Sequence, residues 1–246
     1  MRELITPGVS YENVHARRTA RTISTLLDQS PKGKLLELGT SVVVPLVLDK
    51  LAPELEVHVT DFDLTKPPSG KMTVSMGESS RKVPVYRVDL ETQPLPIADD
   101  TFDYVLCCEV IEHMELDPMF MIAEINRVLK PGGMLILTTP NITSSWAIWK
   151  ILRGFDPYFY MQYRHSPKLY RHNYEYSPYS ISQVMKAGGF TGSVWTEDSF
   201  EDGTTEDLDK LRSIGYSMNN TGDNIFCVGK KVGPVIDRHP KAIYSD

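Results

Sequence analysis

Apolar residues are arranged along this chain in two textures: intermittent, at helical spacing, and in short unbroken runs. From Val14 to Leu27 they return every three or four positions, which predicts an amphipathic helix stopped by Asp28-Gln-Ser-Pro31. Lys34 to Leu38 reads as a short strand, KLLEL, and Gly39-Thr40-Ser41 turns it into a second helix from Val42 to Leu51. Pro45 is tolerated there because the first turn of a helix leaves its amides without internal acceptors. Further strands are predicted at Glu56–Phe62, Val83–Val88, Phe102–Cys108 and Met134–Thr139. Between the second and third, turn residues at Thr65-Lys-Pro-Pro-Ser-Gly70 and Met76-Gly-Glu-Ser-Ser80 stand where a crossover helix is ordinarily required. A short helix, an irregular excursion or a hairpin containing Met72 to Ser75 would each solve that connection.

The second half predicts a helix over Pro118–Leu129, halted by Pro131-Gly132-Gly133, and another over Asn141–Leu152. A last helix at Tyr179–Ala187, a Gly188-Gly189 turn and a strand at Phe190–Trp195 follow, with Asn224–Val228 as an antiparallel edge strand. Alternating strands and crossovers specify a three-layer α/β domain whose ligand crevice lies at the carboxyl ends of the strands. The organisation expected is an N-terminal helical segment over 1–33, one ligand-binding domain over 34–229 with an inserted segment at 153–176, and a loosely held polar tail over 230–246.

Composition narrows the picture. With 246 residues the chain can bury one sizeable core. Its net charge of −6 and lack of a long basic run argue against a phosphate backbone as partner. No window reaches the roughly 18 to 20 apolar residues of a membrane span, and no leader-like segment opens the chain, so a cytoplasmic protein without transmembrane association is expected. Cys107, Cys108 and Cys227 read as buried thiols and not as a disulfide framework. They form no multidentate set with histidines, and Asp99 and Asp100 read as solvated turn residues, so no metal is expected.

The candidate chemistry gathers at the predicted strand ends. In Leu35-Leu-Glu37-Leu-Gly39-Thr40, a glycine where strand becomes helix lets a ligand approach the backbone closely. Asp63 follows the second strand and can accept hydrogen bonds from ribose hydroxyls, with Asp61 as the alternative. Asp89 and Leu90 open a stretch, DLETQPLPIADDTFDYVL, that offers an acceptor for an exocyclic amine and an apolar wall from Leu90, Leu95 or Ile97. Cys108, Glu109, Glu112 and His113 follow the fourth strand of the parallel set.

Taken in order, LLELGT, HVTDFD, the D…LP…FDYVL stretch, CCEVIEHM and KPGGMLILTTPN resemble the motifs of class I methyltransferases, specifically over residues 34 to 140 and more weakly to 229. The resemblance implies a Rossmann-like sheet with an antiparallel terminal edge strand, and S-adenosylmethionine as cofactor. It places Glu37, Gly39, Thr40, Asp63, Asp89, Leu90 and Cys108 around that cofactor. The first loop departs from the family's glycine-rich run, reading Gly39-Thr40-Ser41-Val42-Val43. A nicotinamide-dependent oxidoreductase would need a three-glycine fingerprint that is missing. A nucleotide-binding regulatory domain is the non-enzymatic alternative.

For the acceptor, His113 is the candidate general base and Glu112 its orienting partner, since a neutral imidazole can take a hydroxyl proton near neutral pH. The segment Phe155 to Tyr176 carries six tyrosines with Arg164, His165, Arg171 and His172, a composition suited to covering a small-molecule acceptor or to pairing two subunits as a homodimer. The run TPNITSSW…HNYEYSP resembles methyltransferases that accompany glycan-building enzymes. That resemblance makes a sugar hydroxyl the first acceptor, with N-methylation of an amino sugar or other small amine, or methylation of a phenol, behind it.

Overall fold

The computed structural model describes residues 16–157, 171–197 and 205–245. Eight strands form one sheet in the order β3-β4-β2-β1-β5-β6-β8-β7. These are β1 (Gly33–Leu38), β2 (Leu55–Asp61), β3 (Ser69–Met76), β4 (Ser79–Arg87), β5 (Phe102–Cys108), β6 (Leu129–Pro140), β7 (Phe190–Glu197) and β8 (Asn224–Lys231). The helices are α1 (Ala16–Leu27), α2 (Val43–Leu51), α3 (Pro118–Val128), α4 (Ser145–Leu152), α5 (Pro178–Ala187) and α6 (Thr205–Ser213).

Side chains alternate across a strand, so each central strand serves two cores. Leu36, Leu38, Val105, Cys107, Leu135 and Leu137 face α3 and α5. Leu35, Leu106 and Ile136 face the other way, against Ile23 and Leu26 of α1 and Val44, Leu46 and Leu48 of α2. Three layers result. β1 pairs in parallel with β2 on one side and β5 on the other, with Leu38 opposite Cys107. The chain therefore reverses its direction of travel across the sheet between β1 and β5, and a crevice opens beyond their carboxyl ends.

The hairpin alternative holds for the irregular connection: β3 and β4 pair antiparallel from Ser69↔Tyr86 to Met76↔Ser79, where a crossover helix would otherwise run. Three expectations need correction. Asn224–Lys231 is antiparallel as expected, but it lies between β6 and β7, so β7 and β3 are the edges. The C-terminal residues are not loosely held. Val232 and Ile236 donate to the carbonyls of Gly189 and Ala187 at 3.0 and 2.7 Å. Arg238 meets Asp117 at 2.7 Å, and the Tyr244 hydroxyl accepts from the Met119 amide at 3.2 Å. The strand expected at Met134 begins earlier, at Leu129, because the Pro131-Gly132-Gly133 bend is accommodated as an irregularity in its pairing with β5. All three cysteines are free thiols, and no helix among the described residues is long and apolar enough to cross a membrane.

Candidate functional site

The residues expected to meet the cofactor begin with the turn after β1. Gly39 adopts φ +68°, and a Cβ there would stand 3.2 Å from Val110 Cγ2, so both the backbone conformation and the close approach of the β5 loop favour glycine. The Gly39 amide donates to Thr60 Oγ1 at 2.9 Å and Thr40 Oγ1 donates to the Thr60 carbonyl at 2.5 Å, which lashes the turn to the end of β2. Glu37 is buried beneath it. Its Oε1 accepts from the Ser41 hydroxyl at 2.6 Å, while its Oε2 is buried with no hydrogen-bond partner. Burial pushes its carboxyl up to about 8, against the lowering effect of the Ser41 hydrogen bonds.

The two acids after β2 differ in setting. Asp61 is the last residue of the strand, next to the Thr60 that braces the turn, and it faces Arg87 Nε at 3.5 Å. Asp63 lies outside the strand with its carboxylate engaged by the Thr65 hydroxyl and by Lys66 Nζ at 2.7 Å, hydrogen bonds that hold it down to about 2. Asp89 closes a turn after β4: its carboxylate accepts from the Glu91 amide at 3.0 Å and the Thr92 hydroxyl at 2.8 Å. Leu90 packs partly buried at the margin of the core. Leu95, expected as a wall for the base, is instead buried and fixed from α3, its amide donating to Glu124 Oε2 at 2.7 Å and its carbonyl accepting from Arg127 Nη2 at 3.0 Å.

Beyond β5 the backbone turns sharply at Glu109, φ +57°, and a short 3-10 turn, Ile111–His113, presents the acceptor-side candidates. Thr138 of β6 donates to Glu109 Oε1 at 2.8 Å, and Arg18 from α1 pairs with Glu109 Oε2 at 2.9 Å, a contact that residue spacing could not signal. Glu112 is fully buried; its Oε2 accepts from Thr139 Oγ1 at 2.9 Å and its Oε1 has no hydrogen-bond partner. Burial, then the neighbouring Glu109 charge, raises its carboxyl well above the usual range. Cys108 is a protonated thiol, pushed up to about 12 by burial and by Glu37 and Glu109.

His172, grouped by sequence with the aromatic insertion, is brought against this turn. Its ring centroid lies 5.0 Å from that of His113, and one donor atom each from Glu112, His113 and His172 fall within 4.8 Å of one another. Main-chain bonds stitch the two segments together: the Asn173 amide donates to the Glu112 carbonyl at 2.8 Å, and Asn173 Nδ2 donates to the His113 carbonyl at 2.8 Å. His113 Nδ1 donates to the Arg171 carbonyl at 2.9 Å and His172 Nδ1 donates to Glu175 Oε1 at 2.6 Å. A carbonyl and a carboxylate only accept, so Nδ1 is the donor in each pair, and in the neutral form of each ring Nε2 is the acceptor nitrogen. Tyr158, Tyr160, Tyr163, Arg164, His165 and Tyr170 lie outside the described residues. A separate cleft of about 370 Å³, lined by Arg21, Thr25, Met134, Trp195 and Val228 among others, shares no residue with these strand ends.

Comparison with known proteins decides what this framework is. Residues 42–137 match the family described as a methyltransferase domain. The fold also matches a crystal structure of a SAM-dependent methyltransferase from Archaeoglobus fulgidus, TM-score 0.55 and 16% identity, over 88% of this chain and 94% of that one. This chain has the class I methyltransferase fold. Among curated relatives, the chain is 32% identical over 84 residues to a ubiquinone biosynthesis O-methyltransferase of Dechloromonas aromatica (strain RCB), covering 34% of this chain and 35% of that protein. It is 27% identical over 143 residues to an uncharacterised methyltransferase of Schizosaccharomyces pombe, covering 53% and 49%. The chain thus spans between a third and a half of these relatives' length. S-adenosylmethionine is the cofactor that such a fold implies, and the donor-side residues fit it: the buried, unpartnered Glu37 Oε2 is an acceptor suited to the ammonium of its methionine portion.

Proposed function

We propose that this chain transfers the methyl group of S-adenosylmethionine to a hydroxyl of a small molecule, with a sugar or glycan precursor as the acceptor class. One observation carries the reading. Glu37, at the end of β1, and the Glu112-His113-His172 group, beyond β5, flank the point where the sheet reverses its winding, so a donor acid and a proton-accepting group share one crevice. The O-methyltransferase name of the Dechloromonas relative supports oxygen over nitrogen, and the sugar assignment rests on the resemblance of the TPN…HNYEYSP run to glycan-pathway enzymes.

When bound, the cofactor supplies a methyl carbon activated by a sulfonium. Glu37 would hold its ammonium, Gly39 and Thr40 would leave room beside its methionine portion, and Asp89 with Leu90 would meet its base. For the ribose, Asp61 is better placed than Asp63, whose carboxylate is already occupied by Thr65 and Lys66. The rest of the rate comes from alignment, since fixing an acceptor oxygen in line with the methyl carbon removes much of the entropic barrier. On the acceptor side His113 Nε2 can take the hydroxyl proton, with Glu112 Oε1 at 3.9 Å to steady the imidazolium.

The test is transfer of labelled methyl from S-adenosylmethionine across a panel of saccharides, nucleotide sugars, phenols and amines, beside calorimetry with the demethylated cofactor. Label on a hydroxyl compound is expected. Label on amines alone would overturn the hydroxyl reading, and a folded protein that binds neither form of the cofactor would overturn methyl transfer.

A further inference from the structure

We propose that Glu112, His113 and His172 form a binding site for one divalent transition-metal cation, which holds the acceptor hydroxyl as it is methylated. The inference rests on the methyl-transfer reading above and says how the acceptor loses its proton.

Three observations build the site. Glu112 is fully buried and its Oε1, turned toward His113 Nε2, has no hydrogen-bond partner, so a carboxyl oxygen has been taken out of water with no partner to replace it, which a cation in place of the carboxyl proton would supply. Donor atoms of Glu112, His113 and His172 already lie within 4.8 Å of one another. Around a cation with bonds of about 2.1 Å they would stand closer by roughly an ångström, a movement that rotation of the imidazoles can supply. Finally, each imidazole is oriented from behind through Nδ1, His113 by the Arg171 carbonyl and His172 by the Glu175 carboxylate, itself buried. This is the outer-shell arrangement that directs Nε2 toward a metal and raises its basicity as a ligand. Two nitrogens and one oxygen suit zinc, manganese, iron or cobalt(II) better than calcium, which asks for six or more oxygens.

Among the described residues, the other charged groups facing the site include Glu109, engaged by Arg18 and Thr138, and Glu175 behind His172. Three ligands from the described residues are fewer than the four of a closed tetrahedral site, the arrangement of a catalytic metal. A hydroxyl bound there is acidified, and its proton passes to water. The acceptor oxygen then forms a bond to the methyl carbon as the carbon–sulfur bond breaks and its electron pair returns to sulfur. With the cation bound His113 Nε2 is a ligand, so acidification by the metal replaces the imidazole base described above as the route by which the proton leaves, while the transfer to a hydroxyl stays the same.

The experiment titrates the full chain, stripped with chelator, with cobalt(II) and follows visible absorption and melting temperature, with binding of the demethylated cofactor measured in parallel. One cobalt per chain, with the visible bands of nitrogen- and oxygen-bound cobalt and a higher melting temperature, is expected for the wild type. His172→Gln and the double variant His113→Gln/His172→Gln should lose at least tenfold in cobalt affinity while cofactor binding is retained. The site is overturned if the stripped wild type binds no cobalt, manganese or zinc at 100 μM metal, or if the double variant binds as tightly as the wild type. The wild-type titration decides the matter even where a variant fails to fold. Loss of cofactor binding with metal binding intact would instead strike at the methyl-transfer reading.

Discussion

At the scale of single residues, Glu37 would link stability to cofactor binding in the function proposed above. Its carboxyl is raised to about 8 in the fold, whereas an unfolded chain releases that proton near 4.3. The sign follows from proton counting: between those values the folded state binds the extra proton, so this residue's contribution to stability is complete below about 4.3 and is lost as pH rises through about 8. Thermal melts of cofactor-free wild type and Glu37→Gln from pH 5 to 8 should therefore show a smaller alkaline loss in the variant. An arriving ammonium reverses the preference and favours the carboxylate. Glu37→Gln should weaken cofactor binding about 10- to 100-fold, the span of a charge-assisted hydrogen bond, and should reduce proton release in calorimetry near pH 7. Equal affinity in the two proteins would remove Glu37 from the site. Glu37 and the Glu112-His113 pair were legible in the sequence because each directly follows or ends an apolar strand. His172 was legible only as part of an aromatic and basic stretch, since its approach to His113 across 58 intervening residues is a tertiary fact that spacing does not encode.

At the scale of elements, strands with unbroken apolar runs, such as Phe102–Cys108, were read to their true ends, because both faces of a central strand are buried. β3 was harder. Its sequence, SGKMTVSM, buries only Val74 and otherwise lies open, so its pattern is that of an edge and resembles a loop. Helix α6 has no clear signal in the sequence, because TEDLDKLRS holds two leucines among charges and little apolar periodicity. The β1–α2 turn is the element on which cofactor binding depends in the function proposed above. Gly39→Ala would force a left-handed backbone on a residue with a Cβ and press that carbon against Val110; a loss of about 1 to 2 kcal/mol in denaturant titration is expected, together with weaker cofactor binding. A variant as stable as wild type would mean the turn relaxes freely.

At the scale of the whole molecule, the C-terminal residues act as a strap across the α3–α5 face. Asn126 Nδ2 donates both to the Gly188 carbonyl at 2.7 Å and to the Gly233 carbonyl at 2.9 Å, and Asp117, the N-cap of α3, receives Arg238 and Tyr244. Deleting residues 232–246 should leave buried amides and carbonyls unmatched and lower the melting temperature by roughly 4 to 8 °C, a loss of about 2 kcal/mol. An unchanged melt would make the strap dispensable. The position of β8 has another consequence, in time. β7 leaves the ribosome first, yet its only partner in the sheet is β8, and β8 must first find β6, whose residues lie some 90 positions upstream. Loops of that length close slowly, and pairing between distant strands is the costly step in folding. The last two strands should therefore enter the sheet together and late. Pulsed hydrogen exchange during refolding should show amides of Phe190–Glu197 and Asn224–Lys231 gaining protection in a single phase, after those of β1 and β5; early protection of β7 alone would contradict it. A growing chain would thus carry the residues of both halves of its crevice before the sheet beneath them had closed.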